Sequence, residues 1–160
     1  MPLNVGDKIP AAKLTKMTEE GPRPVETGEF FAGRTVALFA VPGAFTPTCS
    51  AKHLPGYVTK ADELKSSGVD EIACVSVNDA FVMDAWGKSA DAGQKVTMLA
   101  DGNGDFTEAL GLTMDASGFG MGKRSQRYSM IVKDGVVSEL NVEAPGDFRV
   151  SSAEHMLSQL

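Results

Sequence analysis

Apolar residues in this chain gather in short continuous runs instead of alternating. Thr35-Val36-Ala37-Leu38-Phe39-Ala40-Val41 is apolar at almost every position. A strand wetted on one face alternates, whereas a continuous run suits a strand covered on both faces. Val69 to Val77 and Val96 to Ala100 read the same way. Between these runs the spacing turns helical. Tyr57, Val58, Ala61 and Leu64 mark the inner face of a helix from about Pro47 toward Ser66, stopped by Gly68. Pro55-Gly56 falls inside that helix and is expected to kink or split it. Asn78-Asp79 can cap a second helix with Phe81, Val82, Ala85 and Trp86 on one side. A third, short helix carrying Phe106, Ala109 and Leu110 follows the loop Asp101–Gly104.

The remainder punctuates differently. Tyr128 to Lys133 and Val136 to Val142 are joined by Asp134-Gly135, a strong hairpin signal. Residues 113–125 read as a glycine-rich loop, and residues 1–34 as an irregular or hairpin-like lead-in. Ser151 with Glu154 forms a capping box opening a last helix, whose apolar face is Ala153, Met156, Leu157 and Leu160. Parallel βαβ units followed by an antiparallel hairpin and a terminal helix predict an α/β domain, a mixed central sheet flanked by helices. That order resembles a thioredoxin-like fold. In such open sheets, sites form at the carboxyl ends of strands beside helix N-termini.

Composition narrows the function. At 160 residues and 42% hydrophobic, the chain is expected to form one domain, residues 1–160, without disulfide staples. A net charge of −6 and the lack of a basic run argue against nucleic acid as partner. No apolar run has transmembrane length, and Met1–Asp7 lacks the basic and apolar regions of a signal peptide, so no membrane partner and a cytoplasmic location are expected. The two cysteines form neither Cys-x-x-Cys nor a metal-spaced cluster, and His53 and His155 stand apart, so no metal or cofactor is expected. Gly118-x-Gly120-x-Gly122 imitates a nucleotide loop, but no strand precedes it and no suitable helix follows. Asp101-x-Asn103-x-Asp105 imitates a calcium loop, but Phe106 replaces the required glycine and Leu112 the bidentate glutamate.

The chemistry concentrates in Pro42-Gly43-Ala44-Phe45-Thr46-Pro47-Thr48-Cys49, between the first apolar run and the first helix. Thr46 is a good N-cap and Pro47 suits the first helical position. Cys49 then falls at the third helical position, where free N–H groups and the helix dipole favour thiolate over thiol. Cys74, inside Ile72-Ala73-Cys74-Val75, reads instead as a packed strand residue.

Pro42, Thr46 and Cys49 fit the Pro-x-x-x-Thr-x-x-Cys signature of peroxiredoxins, and Pro-Gly-Ala-Phe-Thr-Pro-Thr-Cys-Ser resembles their type II (peroxiredoxin-5-like) class. The similarity continues through His53-Leu54-Pro55-Gly56-Tyr57, Val75–Asp79, Trp86, Arg127-Tyr128-Ser129-Met130 and Leu140–Glu143. The resemblance implies a thiol peroxidase acting on hydrogen peroxide and organic hydroperoxides through a sulfenic acid. It assigns Cys49 as nucleophile, Thr46 as the hydroxyl bonded to peroxide, Pro42 as the screen against solvent and Arg127 as the guanidinium serving thiolate and substrate. Arg124 competes with Arg127 by proximity. Gly43, Phe45 and Thr48 are expected to bind substrate. No late resolving cysteine is present, so Cys74 is the sole intramolecular candidate, and reaching Cys49 within roughly 7 Å between Cα atoms would require local unfolding. External recycling by glutathione and glutaredoxin, or by thioredoxin, is expected, with a noncovalent homodimer pairing through Phe45 and the loop Gly118–Gly122. A disulfide oxidoreductase or a noncatalytic redox-sensing module on the same fold are the competing functions.

Overall fold

The computed structural model describes residues 2–160. In chain order it contains β1 (Lys13–Thr18), β2 (Gly21–Glu26), α1 (Thr27–Phe31) and β3 (Thr35–Ala40). A π-helical turn (Cys49–His53) leads into α2 (Leu54–Thr59) and α3 (Ala61–Ser66). Then come β4 (Glu71–Ser76), α4 (Ala80–Ser89), β5 (Thr97–Ala100), α5 (Asp105–Leu110), β6 (Thr113–Asp115) and β7 (Lys123–Ser125). The chain ends with β8 (Tyr128–Lys133), β9 (Val136–Val142) and α6 (Ala153–Ser158).

Seven strands form one mixed sheet in the order β2-β1-β5-β4-β3-β8-β9. The central three are parallel, and β1 and β8 flank them antiparallel. Burial explains why the apolar runs do not alternate. Ala37 and Phe39 enter the core on one face with Tyr57, Trp86 and Met156, while Val36 and Leu38 enter the other with Leu14, Phe106 and Val137. Each fully buried Val, Leu, Phe or Met among these contributes about 1.5–3 kcal/mol relative to exposure. The lead-in is a hairpin, as expected, but it also extends the main sheet beside β5. Between β8 and β9, Asp134 and Gly135 both adopt positive φ (48° and 77°), which a two-residue hairpin with primed geometry requires.

Four local expectations give way to the structure. The helix does not break at Pro55-Gly56: the π turn ends with Leu54 N donating to Cys49 O, and Pro55 falls in the first turn of α2, where its missing N–H costs nothing. The break comes at Lys60, between α2 and α3. Helix α4 buries Ala80, Met83, Trp86 and Gly87, whereas Phe81 points to solvent. Its phase follows close approach to β5, since a Cβ on Gly87 would lie 2.7 Å from Met98 Cγ, and not the size of Phe81. The cap of α6 is Ser152, whose Oγ accepts from His155 N at 3.1 Å; the Ser151 hydroxyl is engaged by Glu143 instead. Finally, the glycine-rich stretch is ordered as β6 paired with β7, and Gly120 and Gly122 at positive φ supply the reversal.

Candidate active site

After β3 the chain turns sharply at the carboxyl end of the sheet. Ala44 N donates to Asn78 Oδ1 (3.0 Å), which ties the turn to the end of β4. Phe45 adopts φ 63°, a left-handed conformation costing a non-glycine residue about 1 kcal/mol. Thr46 occupies the N-cap position through its backbone, its carbonyl accepting from Ser50 N at 2.9 Å. Its hydroxyl turns back and donates to Gly43 O at 2.7 Å. Ser50 in turn accepts from Trp86 Nε1 (3.0 Å), fastening the start of the helix to α4.

Cys49 is fully buried at the head of the π turn, and His53, also buried, closes it. Arg127, the residue preceding β8, reaches both. Its Nη2 donates to Cys49 Sγ at 2.9 Å and its Nη1 to His53 Nδ1 at 2.7 Å. A guanidinium can only donate, so Nδ1 must carry the lone pair. His53 Nε2 then bears the hydrogen, which it gives to Ser151 O at 3.0 Å. Burial first, and the neighbouring Arg127 charge second, lower the His53 pKa from 6.5 to about 3, so the ring stays neutral. Phe39 and Phe148 pack on the imidazole with centroids 4.8 and 5.0 Å away, and the Phe148 ring also lies 5.8 Å from the Arg127 guanidinium.

Pro42, Thr46, Thr48 and Arg127 line one cleft of about 710 Å³, whose remaining wall includes Met114, Phe119 and Met121. Gly43 and Phe45 are not on that wall; Gly43 backs it, bonded to the Thr46 hydroxyl and so close to Met121 that a Cβ would lie 3.0 Å from its methyl, and Phe45 faces outward, 55% exposed. Arg124 lies beside the same turn without reaching the sulfur: its Nε donates to Met121 O at 2.9 Å, and a Cβ on Gly43 would lie 3.3 Å from its Nη1. Cys74 lies fully buried in the middle of β4 with Phe39 and Met98 as strand neighbours, in the same apolar cluster as Cys49. Burial, reinforced by Cys49, pushes its thiol pKa well up despite the opposing Arg127 charge. Both cysteines are free thiols.

The arrangement can hold a sulfur anion against a fixed cation beside an apolar-walled cleft. His53 is the residue that sequence reasoning missed as part of this site. Its signal was the spacing of four from Cys49, which puts two side chains on one helix face, but its partner lies 74 residues away.

The Redoxin family model matches residues 4–157. The chain is similar to Peroxiredoxin-2B of Arabidopsis thaliana, 48% identical over 160 residues that cover 99% of each protein. To the chloroplastic Peroxiredoxin-2E of the same plant it is 50% identical over 162 residues, 99% of this chain and 69% of the relative. Among solved structures, reduced Prx3 from Vibrio vulnificus in complex with hydrogen peroxide superposes with a TM-score of 0.95 at 57% identity, covering 98% of both chains.

Proposed function

Given that this chain belongs to the Redoxin family as a type II peroxiredoxin, and is a thiol-dependent peroxidase, we propose that Cys49 is its nucleophile and Arg127 its principal electrostatic catalyst. The observation that carries this assignment is the 2.9 Å contact from Arg127 Nη2 to Cys49 Sγ. The Cys49 thiolate attacks one peroxide oxygen. An S–O bond forms, the O–O bond breaks, and the departing oxygen takes a proton to leave as water or an alcohol. Cys49 is left as sulfenic acid, two electrons more oxidised. Arg127 supplies a permanent charge and a rigid fork of donors to the sulfur and to the charge building on the leaving oxygen.

Thr46 has already committed its hydroxyl proton to Gly43 O, so it offers lone pairs to the peroxide O–H. Gly43 thus acts through Thr46, while Thr48 lines the approach and Pro42 screens the sulfur from solvent. The apolar walls of the cleft suit organic hydroperoxides as well as hydrogen peroxide. Recycling runs through an external thiol: one equivalent displaces water from the sulfenic acid to give a mixed disulfide, and a second releases it. Glutathione with glutaredoxin is the assigned reductant, with thioredoxin the alternative. Cys74 takes no part, being a buried neutral thiol. The whole chain acts as one domain, placed in the cytoplasm and working as a noncovalent homodimer; among the described residues no helix is long and apolar enough to cross a membrane.

The test is a coupled assay of peroxide consumption with glutathione and glutaredoxin, run beside insulin reduction. Cys49→Ser is expected to abolish turnover with the fold intact. Arg127→Ala should lower kcat/KM for peroxide by about 10²-fold or more, the usual cost of removing such a donor, while Arg124→Ala stays within about threefold of wild type. Peroxidase activity in Cys49→Ser, or a larger loss from Arg124→Ala than from Arg127→Ala, overturns the assignment.

A further inference from the structure

On the wall of the same cleft as Arg127, a set of hydrogen bonds converges on one carboxylate. Glu143 follows β9 and is almost fully buried. A single oxygen, Oε2, accepts from the backbone N–H of Arg149 (2.8 Å), Val150 (2.9 Å) and Ser151 (2.8 Å), and from the Ser151 hydroxyl (2.6 Å). Three successive N–H groups closing on one oxygen form an anion-binding nest, here occupied by the chain's own side chain. Burial alone would raise this carboxyl's pKa, yet the Ser151 hydroxyl and the three amides hold it below its ordinary value, so the group is an anion.

The nest fixes the direction of one carbonyl. Ser151 O accepts from His53 Nε2 at 3.0 Å and from the Tyr57 hydroxyl at 2.8 Å. That carbonyl accepts the hydrogen on His53 Nε2 and so reinforces the tautomer whose Nδ1 lone pair receives Arg127 Nη1. If the carbonyl turned away, the other tautomer would aim an N–H at a guanidinium N–H. The planar fork would then rotate, and Nη2 would leave the sulfur with it. Glu143 also addresses the other end of the same residue, since its own N–H donates to Arg127 O at 2.9 Å. A buried carboxylate on loop amides is often only a fastener. Here, however, its side-chain and main-chain bonds both lead to Arg127.

We propose that Glu143 is a positioning residue for the peroxidase step: it fixes the turn 149–151 so that Ser151 O holds His53 in the tautomer that orients Arg127 onto Cys49. The proposal rests on the reading of Cys49 and Arg127 given above. A displacement of about 1 Å in a catalytic group can cost 10²-fold in rate.

The experiment compares Glu143→Ala, Glu143→Gln, Ser151→Ala, His53→Ala and the Glu143→Ala/His53→Ala double variant, with Arg127→Ala as reference. Each is assayed for peroxide kcat/KM and for alkylation of Cys49 by iodoacetamide at the same pH. Glu143→Ala should lose about 10²-fold in kcat/KM and Glu143→Gln about tenfold. Ser151→Ala, which keeps the carbonyl and three of the four donors, should stay within about threefold. Alkylation should fall much less than peroxide reduction, because it makes no demand on charge moving across an O–O bond. Mere loosening of the turn 149–151 would instead raise alkylation by exposing the sulfur. The double variant should be no slower than His53→Ala, because both changes act through one arginine. Nitrogen NMR of His53 should report the Nε2–H tautomer in wild type and a mixture in Glu143→Gln. Wild-type kcat/KM in folded Glu143→Ala, additive losses in the double variant, or failure of both Glu143 variants to fold would each make Glu143 a structural fastener and defeat the proposal. Should Arg127→Ala itself reduce peroxide at the wild-type rate, the site assignment falls instead, so the two failures are distinguishable.

Discussion

His53 sits between a cation and a carbonyl, an environment with no room for a second ring proton. In the unfolded chain it takes up a proton near pH 6.5, whereas in the folded protein it holds out to about 3. The unfolded state therefore binds more protons between those values, and stability must fall as pH falls through that window. The steepest loss is about 1.4 kcal/mol per pH unit. Glu143 is depressed as well, but its ordinary value is 4.5, so its contribution is lost only on further acidification. Urea unfolding at pH 7, 6 and 5 should show His53→Gln less stable than wild type at pH 7 yet much flatter toward pH 5; parallel curves would refute the account. Cys74 offers the converse case of a nucleophilic atom made inert by its surroundings. Cys74→Ser should retain most peroxidase activity with glutathione and glutaredoxin, at a cost of about 1–3 kcal/mol for a hydroxyl in the core. After one equivalent of peroxide without thiol, intact mass should show the gain of one oxygen. Loss of two hydrogens would make Cys74 the resolving residue.

Single residues also decide where elements begin, and this is where sequence and structure part. Ser151 and Ser152 are chemically equivalent cap candidates, and only Glu143, eight residues earlier and outside the helix, settles the matter by claiming Ser151. Ser152→Ala should accordingly destabilise the protein by about 1 kcal/mol, and Glu154→Ala, exposed and outside the cap, by less than about 0.5 kcal/mol. Equal losses in chemical denaturation would restore the box expected from sequence. The strands were legible because burial on both faces writes a continuous run into the sequence, and the β8–β9 turn because Asp134-Gly135 admits two positive φ values. The phase of α4 was not, since it depends on Gly87 passing under Met98. Nor was the π turn, where one widened hydrogen bond leaves the side-chain pattern almost unchanged. For the site, the string from Pro42 to Cys49 marked one wall, while Arg127 emerged only by resemblance and His53 only once Arg127 had been brought against it.

At the scale of the whole molecule, association has to work against charge. Each chain carries −6, so two copies repel and an apolar patch must supply the attraction. Phe119 on the wall of the cleft is 84% exposed, and Phe45, one residue before Thr46, is 55% exposed. Large aromatic side chains left bare beside a reactive cleft are the kind of patch that marks a contact. Phe81 on α4 is also bare, at 67%, but it has no place on the wall of the cleft and serves as the control. Burying one phenylalanine on pairing contributes about 1.5–3 kcal/mol, or roughly 10- to 200-fold in dimer affinity, since each 1.4 kcal/mol is a factor of ten. Sedimentation at micromolar concentration should therefore find wild type and Phe81→Lys as dimers. Phe119→Lys should shift toward the 16.9 kDa monomer, and higher salt should strengthen the wild-type dimer by screening repulsion. A wild type that sediments only as monomer removes the dimer. Dissociation by Phe81→Lys with Phe119→Lys unaffected would move the contact from the mouth of the cleft to α4.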